Sequence, residues 1–245
     1  MFKPKFLTRT ALAACVIATS ACSVQAEDYN KEDIEKIVHE YIMENPEIIA
    51  DAIYLLQERA ELEKAEKESA ALSDMKDMLF NNAIDPVGGN PEGTVTLIEF
   101  FDYNCGYCKR VNPVLQTLVA NNPDLKVVYK EWPILTETSD LAAQIALAVN
   151  LTEPDKYEAL HRALLSVNSL KTADDIWKVV KKVGIDRSTV EAKLDHPDVK
   201  QHLQQTSTLA QQLGITGTPA FIVGDQILKG AYPIEQIQAA IDSQR

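Results

Sequence analysis

Several common sequence features are scarce or absent in this chain. Cysteine occurs only 4 times in 245 residues, too few for a disulfide framework that staples a small fold together. No apolar run approaches the roughly 20 residues of a transmembrane helix. Zinc-finger spacing, a glycine-rich phosphate loop and the serine motif of a nucleophile elbow are also lacking. These absences argue against a membrane-spanning protein, a zinc finger, a nucleotide-phosphate site and a serine hydrolase.

Positively charged residues are also scarce in this chain. The chain has 24 Lys and Arg residues against 36 Asp and Glu residues, a formal net charge of -12. Polyanions repel such a surface, so the balance argues against nucleic acids and anionic membrane surfaces as partners.

The N-terminus carries the pattern of a cleaved secretory signal. A basic start precedes a short apolar stretch over residues 11–21, and Val24-Gln25-Ala26 is a small-x-small site. We therefore expect a signal peptide over residues 1–26, cleavage after Ala26 and a periplasmic location. A rival interpretation is lipoprotein processing at Cys22, although the aliphatic residue expected three places earlier is missing. Removing Lys3, Lys5 and Arg9 would change the net charge from -12 to -15 (-12 - 3).

After cleavage the mature chain keeps only two cysteines, in Cys105-Gly106-Tyr107-Cys108. Such a pair is either a local structural disulfide or a redox site, and two thiols alone leave a zinc site incomplete. A bond closing so short a loop removes little unfolded-state entropy, which favours redox work. The pair follows an apolar run over residues 94–101 and opens a predicted helix, whose free N–H groups and dipole favour the Cys105 thiolate.

The N-terminal part of the mature chain is helical in pattern. Ile34, Ile37, Val38 and Tyr41 form an apolar stripe, and Asn45-Pro46-Glu47 ends one helix and starts another. Residues 27–57 are too few to bury these stripes alone, so they dock on the main domain or pack against other copies in a homo-oligomer. We expect the second, with residues 58–92 as a charged helical spacer and linker.

The main domain is predicted over residues 93–245. Strands are expected at 95–101, 125–132, 220–223 and 226–228, with a block of helices over about 139–213 and a last helix from Pro233. Breaks are expected at Asn112-Pro113 and at His196-Pro197, and the linker over 81–93 contains further breakers. The order β-α-β, helices, β-β-α is that of an α/β thioredoxin fold with a helical insertion.

The motifs of this domain resemble one known family. Phe100-Phe101-Asp102-Tyr103-Asn104-Cys105-Gly106-Tyr107-Cys108, the helical insert and Gly217-Thr218-Pro219-Ala220-Phe221 resemble the DsbA-type periplasmic thiol–disulfide oxidoreductases. The N-terminal helices, with Asn45-Pro46-Glu47, are similar to the ScsC and Com1 branch.

The resemblance implies roles for the site residues. Cys105 attacks and Cys108 resolves the mixed disulfide, and no cofactor is needed beyond the disulfide that they form. Pro219 is cis in this family, and the backbone of Thr218 pairs with an extended client segment. Gly106, Tyr107 and Thr218 are the expected client-binding residues. Because Gly106-Tyr107 supplies no cation, we expect a thiolate less stabilised than in the most oxidising members.

Glu99 lies six residues before Cys105 and is either an exposed strand residue or a buried acid. The family often carries a buried acid there that relays a proton for the inner cysteine, and Lys130 is a candidate partner for it. The four histidines, at positions 39, 161, 196 and 202, show no metal-ligand spacing and are expected at the surface or boundary.

Three functions follow as hypotheses. The first is an oligomeric disulfide isomerase or reductase, with a trimer ahead of a dimer, acting on unfolded or misoxidised secreted proteins and served by a membrane redox partner. The second is an oxidase that donates its disulfide to reduced clients. The third is a copper(I)-binding or holdase module, since soft thiolates select copper(I).

Overall fold

The computed structural model describes residues 30–245. The signal peptide over residues 1–26, its Ala26 cleavage site and the Cys22 alternative lie outside the described residues. The chain divides after Glu58 into two compact units, and the second runs from Arg59 to Arg245.

The first unit is helical, as predicted. Helix α1 (Lys31–Glu44) begins after Asn30, whose side chain accepts a hydrogen bond from the N–H of Asp33 at 3.0 Å. Helix α2 (Glu47–Asp74) starts after Pro46 and continues into the first part of the expected helical spacer, residues 58–74. Ile37 and Tyr41 are 52% and 57% exposed, so the apolar stripe of α1 faces solvent in the single chain.

The second unit is built on a five-stranded sheet in the order β1-β3-β2-β4-β5. Strands β2 and β3 are parallel, and the other three pairings are antiparallel. The sheet confirms the predicted thioredoxin arrangement of a parallel pair followed by a hairpin. The strands are β1 (Val87–Gly89), β2 (Val95–Phe101), β3 (Leu125–Glu131), β4 (Ala220–Val223) and β5 (Gln226–Lys229).

Helices cover both faces of this sheet. The helices are α3 (Lys76–Phe80), α4 (Gly106–Asn121), α5 (Glu137–Thr152), α6 (Tyr157–Leu165), α7 (Ala173–Val183), α8 (Arg187–Glu191), α9 (Pro197–Gln212) and α10 (Ile234–Asp242), with a 3-10 turn at Pro154–Lys156. Five of them, α5 to α9, lie between β3 and β4 in the chain.

Strand β2 lies between two apolar clusters. Leu97 and Phe101 point into one cluster, and Ile98 and Phe100 point into the other. Burial on both faces explains why the sequence of β2 shows little alternation between apolar and polar residues. Glu99 shares the face of Leu97 and Phe101, because side chains two apart on a strand point the same way.

Three local predictions were wrong. Pro113 does not interrupt its helix but lies inside α4. The expected linker over residues 81–93 contains strand β1, which pairs with β3. The main domain was predicted to start at Gly93, but Leu79, which precedes Gly93, is fully buried in the core of the second unit. A three-residue strand and a five-residue helix are too short to leave a periodic signal.

Candidate active site

Cys105 lies in the connection between strand β2 and helix α4. It occupies the N-cap position, and Gly106 is the first helical residue. Its side chain is oriented toward the loop before β4, where the thiol donates a hydrogen bond to the carbonyl oxygen of Thr218 at 3.2 Å. Two segments more than a hundred residues apart in sequence therefore meet at this sulfur.

The environment of Cys105 favours its thiolate. The pKa of the thiol is lowered to about 5, chiefly by a hydrogen bond from the Cys108 thiol, against the opposing effect of burial. A hydrogen bond from the side chain of Thr218 and hydrogen bonds from the backbone N–H groups of Cys108 and Tyr107 add to the effect. This pKa lies between the values of about 3.5 and about 7 known for the extremes of such motifs.

The environment of Cys108, by contrast, disfavours its thiolate. It lies one helical turn further along α4 with no exposed surface. Burial first, and then its hydrogen bond to Cys105 and the negative charge of Glu99, raise the pKa of this thiol far above its ordinary value. Cys108 therefore needs a proton acceptor before it can attack.

The Thr218–Pro219 peptide bond is cis, as the resemblance implied. A shallow cleft of about 250 Å³ lies beside it and is lined by Tyr107, Thr216, Gly217, Thr218, Pro219, Lys229, Gly230 and Ala231. Tyr107 is 57% exposed, and the Arg110 guanidinium lies over its ring at 4.1 Å from the centroid. The predicted client-binding residues Tyr107 and Thr218 thus share one surface next to Cys105.

Glu99 faces inward, which is one of the two orientations that the sequence left open. Its side chain is fully buried, and neither carboxyl oxygen has a hydrogen-bond partner among the described residues. Burial, and then the charge of Cys105, raise the pKa of Glu99 to about 8. Such a carboxyl group holds its proton near neutral pH.

Lys130 is not the partner of Glu99, contrary to the sequence-based suggestion. It forms an ion pair with Asp85 and donates a hydrogen bond to the carbonyl oxygen of Met78 at 2.6 Å. Side chains alternate along β3, so Lys130 points to the sheet face opposite that of Glu99. Its positive charge is therefore directed away from the cysteine pair.

The surface prediction was also wrong for two histidines. His161 and His202 are each 1% exposed. His202 Nδ1 lies 3.1 Å from Asp85 Oδ1, while His161 Nε2 lies 4.0 Å from Glu99 Oε2. Tertiary packing brought each histidine against a carboxylate far away in sequence.

Two polar residues that the sequence did not single out, Asp102 and Asn104, fix the segment before Cys105 through hydrogen bonds. Asp102 accepts hydrogen bonds from the N–H groups of Asn104, Ile134 and Leu135 and from the Ser139 hydroxyl, at 2.7–3.0 Å. Asn104 exchanges hydrogen bonds with the backbone of Leu170 and donates to Thr138. Both residues belong to the motif that carries the family resemblance, but their hydrogen bonds are to segments that are distant in sequence.

Within residues 30–245, no group of three or more His, Cys, Asp and Glu side chains is arranged to hold a metal ion. In the same part of the chain, no helix has both the length and the apolar character needed to cross a bilayer.

The fold and the site define a class: a thioredoxin-fold protein with a cysteine pair at a helix start opposite a cis-proline. The chain belongs to the family of DSBA-like thioredoxin domains, which matches residues 96–242. A second family, the copper resistance protein ScsC N-terminal domain, matches residues 30–63.

Known proteins with similar sequences or structures agree with this assignment. A thioredoxin-like oxidoreductase from Silicibacter pomeroyi is 43% identical, with a TM-score of 0.66 over 69% of this chain and 96% of that one. Proteus mirabilis ScsC in a transitional conformation is 33% identical, with a TM-score of 0.67 over 87% of this chain and 95% of that one. The thiol:disulfide interchange protein DsbA of Bordetella parapertussis is 27% identical over 155 residues, which are 61% of this chain and 72% of that protein.

Some curated relatives are much longer. The chain spans about a quarter of the length of the Na(+)/H(+) antiporters NhaA that it matches in two Salinispora species, 24% in each case.

Proposed function

We propose that the chain is a periplasmic thiol–disulfide interchange enzyme that works as an oligomeric isomerase or reductase. The observation that carries the proposal is the contrast between its two cysteines. Cys105 is held as a ready thiolate beside Thr218 and the cis-proline, while Cys108 is kept as a buried thiol. An attacking and a resolving thiol need these two states.

The first chemical step uses Cys105 alone. Its thiolate attacks one sulfur of a client disulfide, a bond forms between Cys105 and that sulfur, and the other client sulfur leaves as a thiolate. In isomerisation, a client thiolate then attacks the mixed disulfide and regenerates the Cys105 thiolate. No net oxidation occurs, so the pair has to start in its reduced form.

The second step, needed for reduction, uses Cys108 and Glu99. Cys108 gives up its proton, attacks the Cys105 sulfur and forms the Cys105–Cys108 disulfide, and the client leaves as a thiolate. Glu99 is the acidic side chain whose charge acts on both cysteines, so it is the proposed proton acceptor.

Client recognition is proposed at the cleft beside Pro219. An extended client segment adds to the backbone at Thr218, Tyr107 lines the same cleft, and Gly106 directly follows the reacting cysteine. Backbone pairing of this kind depends little on the amino-acid sequence of the client. It therefore suits unfolded or misoxidised secreted proteins. The proposed membrane redox partner returns electrons to the pair.

The N-terminal unit supports the oligomer. The apolar stripe on α1 is about half exposed, and α2 adds Ile53 and Leu56, at 50% and 64% exposed. A second copy of the same helices would bury these side chains. On the resemblance to ScsC-like proteins, we propose a trimer ahead of a dimer.

The test is refolding of scrambled ribonuclease by the full chain. Cys105→Ser should abolish every exchange activity, and activity that survives would mean that the site is misassigned. A variant that disrupts the oligomer but keeps both cysteines should lose isomerisation while it still reduces a small disulfide. Truncation at Gly93 is a poor substitute, because Leu72 and Leu79 belong to the core of the second unit.

The alternative is an oxidase, and one observation favours it. A Cys105 pKa lowered to about 5 stabilises the reduced form and makes the pair more oxidising. A redox potential near about -120 mV would support the oxidase, and about -180 mV or below would support the isomerase or reductase. Tight stoichiometric copper(I) binding with no rescue of scrambled ribonuclease would support the third candidate, a copper(I)-binding or holdase module.

A further inference from the structure

A chain of buried polar side chains leads away from the cysteine pair into the core. Glu99 Oε2 lies 4.0 Å from His161 Nε2, and His161 Nδ1 lies 3.4 Å from the Tyr103 hydroxyl. The hydroxyls of Tyr103 and Tyr157 both donate to Glu131 Oε1 at 2.8 Å. All five residues are at most 1% exposed, so the chain is shielded from solvent.

These contacts determine which nitrogen of His161 carries the proton. The single hydroxyl proton of Tyr103 is used in its bond to Glu131, so Tyr103 offers His161 only an oxygen lone pair. The Nδ1 of His161 is therefore the donor toward Tyr103, and Nε2 is left with a lone pair. That nitrogen faces Glu99 and is itself without a hydrogen-bond partner among the described residues.

The imidazole ring cannot readily turn away from this orientation. Phe101 contacts it edge-on at 4.6 Å between centroids, and Tyr129 packs against it at 4.4 Å. Tyr157 is stacked on it at 5.9 Å. Close packing on several sides keeps the unprotonated nitrogen directed at the carboxyl group.

We propose that His161 is a positioning residue for the Cys108 step: it accepts the proton that Glu99 already holds, so that Glu99 can take the proton of Cys108. The inference rests on the proposed function and deepens it. It assigns to a residue of the helical insert a part in the chemistry at the cysteine pair.

The proton movements balance as follows. The Cys108 thiol proton passes to one oxygen of Glu99, and the proton on the other oxygen passes to His161 Nε2. The electron pair left on the Cys108 sulfur attacks the Cys105 sulfur, forms the internal disulfide and expels the client thiolate. Glu99 ends as it began, and His161, whose pKa is lowered to about 3, holds the extra proton only transiently before the proton is lost to water. The pair takes up a proton again when it is reduced.

Burial raises the pKa of Glu99 to about 8 and lowers that of His161 to about 3, so the shared proton rests on Glu99. Because a protonated His161 is unfavourable by itself, transfer of the proton to it is coupled to the attack of Cys108. Without His161 the step depends on the ionised fraction of Glu99, which is small below about pH 7. The titratable and charged groups around the pair are Cys105, Cys108, Tyr103, Tyr129, Glu131, Tyr157 and Arg162.

The experiment mixes the reduced full chain with dithiobis(nitrobenzoate), an aromatic disulfide that releases one coloured thiolate at each step. The first release reports attack by Cys105, and the second reports resolution by Cys108. In the wild type the second phase should change little between about pH 6 and about pH 9. In His161→Leu the first phase should be unchanged, and the second should be slowed at least about tenfold at about pH 6 and recover at about pH 9.

Two further variants exclude a purely structural effect. His161→Gln keeps a polar side chain of similar size but cannot take up a proton, so it should show the same pH-dependent loss as His161→Leu. His39→Gln removes an exposed histidine of α1 and should match the wild type. Adding His161→Leu to Glu99→Gln should cause no further slowing, since the two residues act in one step.

A second phase in both His161 variants with the wild-type pH profile would overturn the inference. Equal slowing of both phases at every pH would also overturn it, because that is the result of a misplaced site. A wild-type chain that releases only one equivalent, or none, would overturn the proposed function itself, and the inference with it.

Discussion

The two thiols of Cys105 and Cys108 are chemically identical, and only their surroundings separate them. Cys105 is at the open end of a helix beside Thr218, while Cys108 is enclosed one turn later beside a carboxyl group. Hydrogen bonding to the thiolate lowers one pKa, and desolvation raises the other. This separation supports the proposed roles of Cys105 as the attacking thiol and Cys108 as the resolving thiol.

A thiolate titration at 240 nm checks this separation. The reduced chain should show one thiolate with a pKa of about 5 and no second one below about pH 9. Cys108→Ala removes the hydrogen bond from the inner thiol and should raise the Cys105 pKa by about one unit, whereas Cys108→Ser keeps a donor and should raise it less. Two thiolates that titrate together in the wild type would contradict the assignment.

Glu99 should also make stability depend on pH. Its pKa rises from about 4.5 in the unfolded chain to about 8 in the folded one, so the folded state binds the extra proton between these values. The stabilisation is complete below about pH 4.5 and is lost as the pH rises through about 8. The lowered pKa of Cys105 makes the reduced chain more stable over the same pH range, so the contribution of Glu99 is measured against Glu99→Gln. In urea unfolding, the wild type should lose at least about 1 kcal/mol relative to Glu99→Gln between about pH 6 and about pH 9, and a constant difference between the two proteins would contradict the buried, protonated carboxyl group.

His161 contributes to stability with the opposite sign. Its pKa falls from about 6.5 to about 3 on folding, so its contribution is complete above about pH 6.5 and lost as the pH falls through about 3. In the same unfolding experiment, His161→Gln should weaken the loss of stability on the acid side and leave the alkaline side to Glu99. Equal slopes in the variant and the wild type would contradict the burial argument.

At the scale of elements, the segment before β2 is tied to the sheet by charge. Asp85 forms an ion pair with Lys130 of β3 and lies beside His202 of α9. All three side chains are at most 2% exposed. A buried charge left without its partner is costly, so the cluster joins three elements that are distant in sequence.

Lys130→Met tests this link. It should lower the free energy of unfolding by about 3–5 kcal/mol, because it removes the cation that faces the buried Asp85 carboxylate and leaves only the His202 ring beside it. Lys126→Met makes the same replacement at a partly exposed position of β3 and should change stability by less than about 1 kcal/mol. Chemical denaturation compares the two, and similar small losses in both would show that the ion pair contributes little.

At the scale of the whole molecule, the open question is assembly. The apolar stripe of α1 includes Ile37, and Lys36 lies about 100° round the helix from it, outside the stripe. Ile37→Gln should shift the mass measured by light scattering from the proposed trimer toward the monomer, whereas Lys36→Gln should leave it unchanged. Both variants keep the cysteine pair intact. A wild-type chain that is already monomeric would contradict the proposed oligomer.

The sequence predicted the main elements well where its signals were local. Strand β4 was placed at its observed bounds, and β2 and the start of α4 were fixed by an apolar run followed by the cysteine pair. It failed at Pro113, at β1 and at the buried histidines. Those outcomes depend on packing against distant segments, which outweighs local propensity.

The sequence by itself determined the chemistry available to this protein: two cysteines three residues apart at a helix start, a Thr-Pro pair far along the chain, and amphipathic helices ahead of the domain. The tertiary structure alone decided how that chemistry is tuned. It placed Thr218 against Cys105, enclosed Cys108 with Glu99, and brought His161 from a separate helix to the same carboxyl group. A residue's type is written in the sequence, but its pKa follows from desolvation and from neighbours that only folding supplies.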